Sequence, residues 1–226
     1  MEKFKGWDFS HLKGRKLEEK PPWNYTKLAR QLIKRSSSVI DMGTGGGELF
    51  STFKFRKAVA TEGYRPNYLI AKKRLEPLGV KVVFTVGLPF GCDFDLVLNR
   101  HSAFNAKEVF HVLKPGGTFL TQQVDGDNLA DLVKAFGRKP GKSVFRRTLS
   151  NVKVAGFSIV EAERCILKTE FKDIDALVYF LHAIPWVVEN FSVDKDQKIL
   201  MKLQKKLEKG KLVFKETRFI IQAEKS

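Results

Sequence analysis

Cysteine and histidine are scarce in this chain: two of the first, Cys92 and Cys165, and four of the second, among 226 residues. No Cys-x-x-Cys occurs, and two cysteines cannot build a metal cluster alone, so no metal centre and no disulfide framework are expected. Cysteine use of this kind fits a reducing cytoplasm. Long apolar runs are missing too. None approaches the roughly 18 residues of a membrane span, and Met1-Glu2-Lys3-Phe4-Lys5 has no apolar core of a signal peptide. A soluble cytoplasmic protein without a membrane partner is therefore expected. Repeats and low-complexity tracts are absent. Acids are few: 25 against 41 lysines and arginines, a net charge of +16. That excess is either lysine solvating a surface or a surface for a polyanion such as RNA. Hydrophobic residues make up 43% of the chain, enough for a packed core, and the length fits one α/β domain over residues 1–226.

What is present is organised around Ser38-Val39-Ile40-Asp41-Met42-Gly43-Thr44-Gly45-Gly46-Gly47-Glu48-Leu49. A short apolar run reads as a buried strand. It enters a turn with glycines at 43, 45, 46 and 47, and a helix-like run follows. Glycine admits positive φ and lets a ligand lie against bare backbone. Asp41 stands at the strand tip, before the first glycine. A second acid, Glu62, ends the next apolar run, Ala58-Val59-Ala60-Thr61, where a carboxylate can accept hydrogen bonds from a ribose diol. Position 48 is Glu where a dinucleotide turn wants Gly or Ala, which disfavours a pyrophosphate ligand and hence a plain dehydrogenase.

Along the chain, residues 1–22 read as an irregular N-terminal arm closing at Pro21-Pro22. Its Trp7 and Phe9 either cover a pocket or pin the arm down. A helix begins near Trp23-Asn24-Tyr25-Thr26, with a stripe of Leu28, Ala29, Leu32 and Ile33. Strands are expected at about 38–42, 58–62, 80–85, 94–98, 118–124, 156–160 and 217–223. Helices are expected at about 67–75, 106–113 and 128–136, with Lys114-Pro115-Gly116-Gly117 as a tight turn. Residues 137–153 hold six cations and no acid. Between the sixth and seventh strands lie an apolar helical stripe, Ile174, Leu177, Val178 and Leu181, and a lysine-rich helix at about 194–209. Alternating strands and helices argue a mostly parallel, doubly wound α/β sheet. Ligands bind such sheets at the carboxyl ends of the strands, where Asp41, Glu62, Asn99, Arg100 and His101 all fall.

These motifs resemble those of the class I S-adenosylmethionine (SAM)-dependent methyltransferases. Asp41 through Glu48 is similar to the class's first motif, Ala60-Thr61-Glu62-Gly63 to its second, and Phe94-Asp95-Leu96-Val97 with Asn99-Arg100-His101 to its fourth-strand motif. Leu113 through Phe119 is similar to the segment introducing its fifth strand. Thr121-Gln122-Gln123-Val124 and Ala183-Ile184-Pro185-Trp186 look like a bacterial subgroup of unassigned substrate. The resemblance implies a Rossmann-like sheet of seven strands, the last antiparallel and lying between the fifth and sixth, with helices on both faces. It also implies a helical insertion at 170–212 acting as a lid, SAM as cofactor and S-adenosylhomocysteine as product. Asp41, Gly43, Thr44, Gly45 and Gly47 would admit the methionine part. Glu62 and Gly63 would take the ribose and Tyr64 would flank the adenine. No acid follows the third strand before Asp93, so backbone at Gly87 and Leu88 would hold the adenine. Asn99 would stand nearest the sulfonium, as a catalytic as well as a cofactor-binding residue, and Arg100 would also bind the cofactor.

His101 is the candidate general base for an oxygen or nitrogen nucleophile, against a plain structural hydrogen-bonding role. Trp186, Tyr179 and Trp23 are candidates for a substrate wall, against a role in the core. Two further functions compete with methyl transfer to a small molecule. One is an RNA methyltransferase using the basic segments 1–35, 138–153 and 195–215. The other is a SAM- or RNA-binding protein without catalysis.

Overall fold

The structure, a computed structural model, describes residues 10–226; the expectation for Trp7 and Phe9 lies outside the described residues. The strands are β1 (Lys16–Glu18), β2 (Ser38–Met42), β3 (Lys57–Glu62), β4 (Lys81–Phe84), β5 (Phe94–Arg100), β6 (Leu113–Val124), β7 (Phe157–Phe171) and β8 (Leu212–Lys225). The helices are α1 (Tyr25–Arg35), α2 (Arg65–Leu75), α3 (Ala106–Val112), α4 (Ala130–Ala135), α5 (Phe145–Val154), α6 (Ile174–Ala183) and α7 (Val193–Glu208). Strand order is β1-β7-β8-β6-β5-β2-β3-β4. Neighbours from β6 through β4 pair in parallel, while β1 pairs antiparallel with β7. The sheet is thus mixed and eight-stranded, not the seven-stranded sheet expected. The last strand does lie between the two that precede it in the chain's sheet-forming half, β6 and β7.

Two compact units can be distinguished. One holds the described part of Met1–Pro21 with Asp125–Ser143 and Cys165–Arg218; the other holds Pro22–Val124, Val144–Arg164 and Phe219–Ser226. In the larger unit the core gathers Ile40, Val97, Val109, Val112, Phe119, Val152 and Phe219, all wholly or almost wholly buried. Each such side chain contributes about 1.5–3 kcal/mol by leaving water. In the smaller unit the core is built on α6, where Ala176, Leu177, Val178, Phe180 and Leu181 are all buried, joined by Leu200 and Leu203 from one face of α7.

Caps explain the helix starts. Asn24 accepts from the Lys27 N–H at α1, Asn105 from Lys107 at α3, Asp173 from Ala176 at α6 and Ser192 from Lys195 at α7. Four expectations are corrected. The N-terminal arm is not irregular throughout: Lys16–Glu18 forms an edge strand in register with Thr169–Phe171. The sixth strand, expected at about 156–160, runs on to Phe171 as β7, and α5 precedes it with Val152 wholly buried. Lys114-Pro115-Gly116-Gly117 is carried inside β6 as an irregularity, with a register shift against Phe94 and Leu96, and Gly116 has a φ of 76°.

The fourth concerns the glycine turn: no α-helix follows it, only the 3₁₀ turn Phe50–Thr52. The hydroxyls of Ser51 and Thr52 donate back to the carbonyls of Glu48 and Leu49, at 2.9 and 2.7 Å. Phe50, Phe53 and Phe55 form a cluster in which Phe53 stands edge-on to the other two, whose centroids are 4.3 Å apart. Local hydroxyl bonds and an aromatic cluster in so short a segment outcompete a regular helix.

Candidate active site

Strand order reverses between β2 and β5, the point at which an open parallel sheet leaves a crevice at its carboxyl edge. Asp41 pairs in register with Leu98 and Met42 with Asn99, so the ends of both strands meet there. A cavity of 240 Å³ opens at this edge; among its walls are Tyr25, Asp41, Thr44, Phe50, Arg100 and His101.

Three glycines of the turn have left-handed backbone: φ is 69° at Gly43, 63° at Gly45 and 76° at Gly47. A side chain at Gly43 would strike Ser102 Oγ at 2.1 Å, and one at Gly47 would strike Leu75 at 2.8 Å. Gly45 differs: a Cβ there would meet nothing within 4 Å, so its bare backbone faces open space. Arg74 braces the turn through the Gly46 carbonyl and the Glu48 carboxylate.

Asp41 is the most perturbed acid of the site. Burial pushes its carboxyl from 3.8 to about 6, the nearby Thr44 hydroxyl and Arg100 pull it partly back, and Glu62 adds to the rise. The phenol of the buried Tyr25 is likewise pushed well above its ordinary range, first by burial and then by Asp41. The hydroxyls of Tyr25 and Thr44 are buried without a hydrogen-bond partner of ordinary geometry. Buried polar atoms are nearly always satisfied, and an orphan beside a cavity costs about 1–3 kcal/mol unless something occupies the cavity.

Glu62 is buried at the end of β3, where its two oxygens accept from the backbone N–H groups of Gly45 and Tyr64, both at 2.8 Å. A carboxylate has about four acceptor sites, so it can serve a diol as well. Gly63 has a nearer reason to be glycine: a Cβ would meet Val86 at 2.8 Å. Tyr64 and Val86 are both exposed, Val86 at 88%, which leaves an apolar rim by the carboxyl ends of β3 and β4.

The adenine segment is built differently from expectation. The Gly87 N–H donates to Thr85 Oγ1 at 3.2 Å, and the Leu88 N–H donates to Glu108 Oε2 at 3.3 Å. A carboxylate thus stands beside this segment, reaching it from the first turn of α3, 20 residues away. Asn99 is 0% exposed, and its amide is spent on Met42 O, Thr121 Oγ1 and Gln123 Nε2, tying three strands together rather than facing the cavity. Arg100, the next residue, does line the cavity.

His101 sits at the edge of the same cavity with φ at 59°, a left-handed conformation uncommon for a non-glycine residue. Its N–H donates to the Gln122 carbonyl at 2.8 Å, and its Nε2 lies 3.0 Å from Gln122 Nε2. Trp23 is buried and donates its indole N–H to Gln122 Oε1 at 2.7 Å, so it is a wall of the larger unit's interior rather than an open substrate face. In the smaller unit, the Tyr179 ring packs at 4.6 Å on His11, and Trp186 is 61% exposed. Tyr25, Glu108 and Gln122 are the site residues that sequence motifs did not single out for a role.

A second cavity of the larger unit, 690 Å³, begins at Ser102. Its walls include Phe104, Val124 and Phe219; among the described residues Lys107 and Arg147 are its cations and it has no acid.

No family model matches the sequence, and no curated protein matches it. Solved structures do. A putative methyltransferase from Bacillus halodurans aligns over 89% of this chain and 98% of its own, with a TM-score of 0.65 and 19% identity. Geranyl diphosphate methyltransferase in complex with SAM aligns over 89% and 85%, at 0.50 and 15%. The fold is that of the class I methyltransferases. The sequence motifs therefore pointed to the right architecture. The same fold also carries other chemistry: the [4+2]-cyclase SpnF aligns over 88% of this chain and 80% of its own, with a TM-score of 0.56 and 17% identity.

Proposed function

We propose that the chain is a SAM-dependent methyltransferase acting on an oxygen or nitrogen nucleophile of a small molecule. The observation that carries this reading is the cavity where Asp41 and Arg100 stand beside the buried hydroxyls of Tyr25 and Thr44, neither of which has a hydrogen-bond partner of ordinary geometry among the described residues. An α-amino acid end matches that set: its ammonium suits Asp41, and its carboxylate suits Arg100 and two hydroxyl donors. Open space at Gly45 and the acceptor capacity left on Glu62 suit the adjoining sulfonium and ribose. When bound, SAM supplies an electrophilic methyl group for in-line displacement, with S-adenosylhomocysteine left behind.

The chain's own part is alignment. Asp41, Thr44 and Arg100 would hold the amino acid end, Glu62 the diol, and Tyr64 and Val86 the purine face. The groove that starts at Ser102 suits an acceptor with an apolar body and an anionic group, through Phe104 and Val124 on one hand and Lys107 and Arg147 on the other. The 170–212 segment, with exposed Trp186, keeps its place as the lid in this reading. Asn99, expected nearest the sulfonium, is spent inside the sheet, and Arg100 serves the amino acid end in this reading.

One observation favours RNA as acceptor instead. Lys202, Lys205, Lys206, Lys209 and Lys211 line a hollow of 560 Å³ around the end of α7 without an acid among them.

Calorimetry with SAM, S-adenosylhomocysteine and NAD tests the cofactor, and methyl-labelled SAM with fractionated cell extract tests the acceptor. Binding of SAM with label in the small-molecule pool is the expected result. Nuclease-sensitive label would move the acceptor to RNA. SAM binding without label would favour a binding protein, and NAD binding without SAM would end the reading.

A further inference from the structure

We propose that Gln122 is a positioning residue that holds His101 in the neutral tautomer with its proton on Nδ1. With Nε2 occupied as an acceptor and the proton on Nδ1, His101 is not the general base suggested by its place in the sequence.

The argument starts from Trp23. An indole nitrogen can only donate. Trp23 Nε1 lies 2.7 Å from Gln122 Oε1, and both side chains are buried. That contact decides which end of the Gln122 amide is which: the oxygen faces Trp23 and the NH2 faces His101. The NH2 can only donate, and it lies 3.0 Å from His101 Nε2. Nε2 is therefore the acceptor, and in a neutral ring the proton must reside on Nδ1. A donor on the lone pair of the neutral ring also opposes imidazolium formation.

A second observation points the same way. His101 holds a left-handed φ of 59°, and its own N–H is bonded to the Gln122 carbonyl at 2.8 Å. Gln122 thus grips His101 by main chain and side chain at once, and backbone strain of this kind persists only where surroundings over-determine it. Among the described residues, the other ionisable groups of the cavity are Asp41 on β2, Glu48 in the glycine turn, Arg100 on β5 and the Tyr25 phenol on α1. The two carboxylates favour a charged imidazole and Arg100 opposes it. The Gln122 bond adds to the opposition.

The tautomer does not depend on the methyltransferase reading; only its consequence for an acceptor rests on it. The test therefore uses the full chain without cofactor. Protein labelled with 15N-histidine is titrated by two-bond 1H–15N NMR, and His101 is identified by the resonance lost in His101→Asn. The expected result is the Nδ1–H pattern for His101. In Gln122→Glu, where only acceptors face the ring, the pattern switches to Nε2–H and the midpoint rises by at least about one pH unit. Trp23→Phe, which frees the amide to turn, should mix the two tautomers, and it serves if Gln122→Glu does not fold. An Nε2–H pattern in the unmodified protein, or a pattern unmoved in the variants that fold, would overturn the proposal. Calorimetry with SAM on the same samples separates that failure from a failure of the cofactor assignment.

Discussion

Two clusters of buried polar groups, one in each unit, are built on opposite terms. In the smaller unit, Lys16 donates to Glu216 at 2.8 Å and to Glu18, and lies over the Phe180 ring at 4.8 Å; Glu216 also takes Arg218 at 2.5 Å. In the same unit, Arg138 grips Asp196 through two hydrogen bonds, at 2.6 and 3.0 Å. There each buried charge answers another. In the larger unit, Asp41, Tyr25 and Thr44 are buried round a cavity with their polar atoms answered poorly or not at all. A closed network holds a fold together; an open one stores unfavourable energy that a ligand can release.

Breaking the closed network should have the largest effect. Glu216→Ala takes from Lys16 its buried partner, leaving it only the exposed Glu18, and takes from Arg218 its carboxylate; it should cost about 3 kcal/mol in urea denaturation, with SAM affinity of the folded protein unchanged. Replacing both partners, as Lys16→Met with Glu216→Leu, should recover most of that loss. The open cluster should respond with the other sign. Because its carboxyl sits at about 6 in the folded protein against 3.8 ordinarily, Asp41 binds its proton more tightly when folded. Its contribution is therefore harmless below about pH 4, grows adverse as pH rises to 6, and costs about 3 kcal/mol at pH 7. Asp41→Asn should be more stable at pH 7 by up to that amount, should lose the fall between pH 4 and 6, and should bind SAM about 10- to 100-fold more weakly by calorimetry.

Smaller effects sharpen the same contrast. Tyr25→Phe removes a hydroxyl without a hydrogen-bond partner of ordinary geometry, so the melting temperature should hold or rise while SAM affinity falls about fivefold, roughly 1 kcal/mol. His101→Gly should relieve the left-handed backbone and gain about 1 kcal/mol of stability, with slower turnover once an acceptor is known. The smallest change belongs to the α7 surface. Lys205→Gln with Lys209→Gln should shift stability by no more than about 0.5 kcal/mol, and a drop in RNA retention at low salt would revive the RNA reading.

Most of the larger unit was legible because its signals are local. Strands β2, β3 and β5 are short apolar runs with a polar residue at or next to their last position, and the glycine turn marks its own backbone. Asp41, Glu62 and Arg100 could be placed at the carboxyl edge for that reason. What was not legible depends on partners distant in sequence. Glu108 reaches Leu88 from 20 residues away and Trp23 fixes Gln122 from 99; no spacing rule links them. β7 runs for 15 residues, but Glu161, Glu163, Arg164, Lys168 and Glu170 interrupt its apolar pattern, so only its first part read as strand. β1 is three residues long and exists by pairing, not by propensity. The missing helix after the glycine turn was overruled by Ser51 and Thr52 hydroxyls and three clustered phenylalanines.

That short turn has a consequence in time rather than in space. A helix opens cooperatively, while residues 45–55 are held by single turns such as Gly47 N–H to Thr44 O and Ser51 N–H to Gly47 O, at 3.1 and 2.9 Å. Such a segment opens at low free energy without disturbing the strands beside it. Its amides should exchange with solvent far sooner than those of β2, and a ligand seated against Gly45 should slow them selectively, so occupancy of the site can be followed as a local clock while the rest of the molecule keeps its own pace.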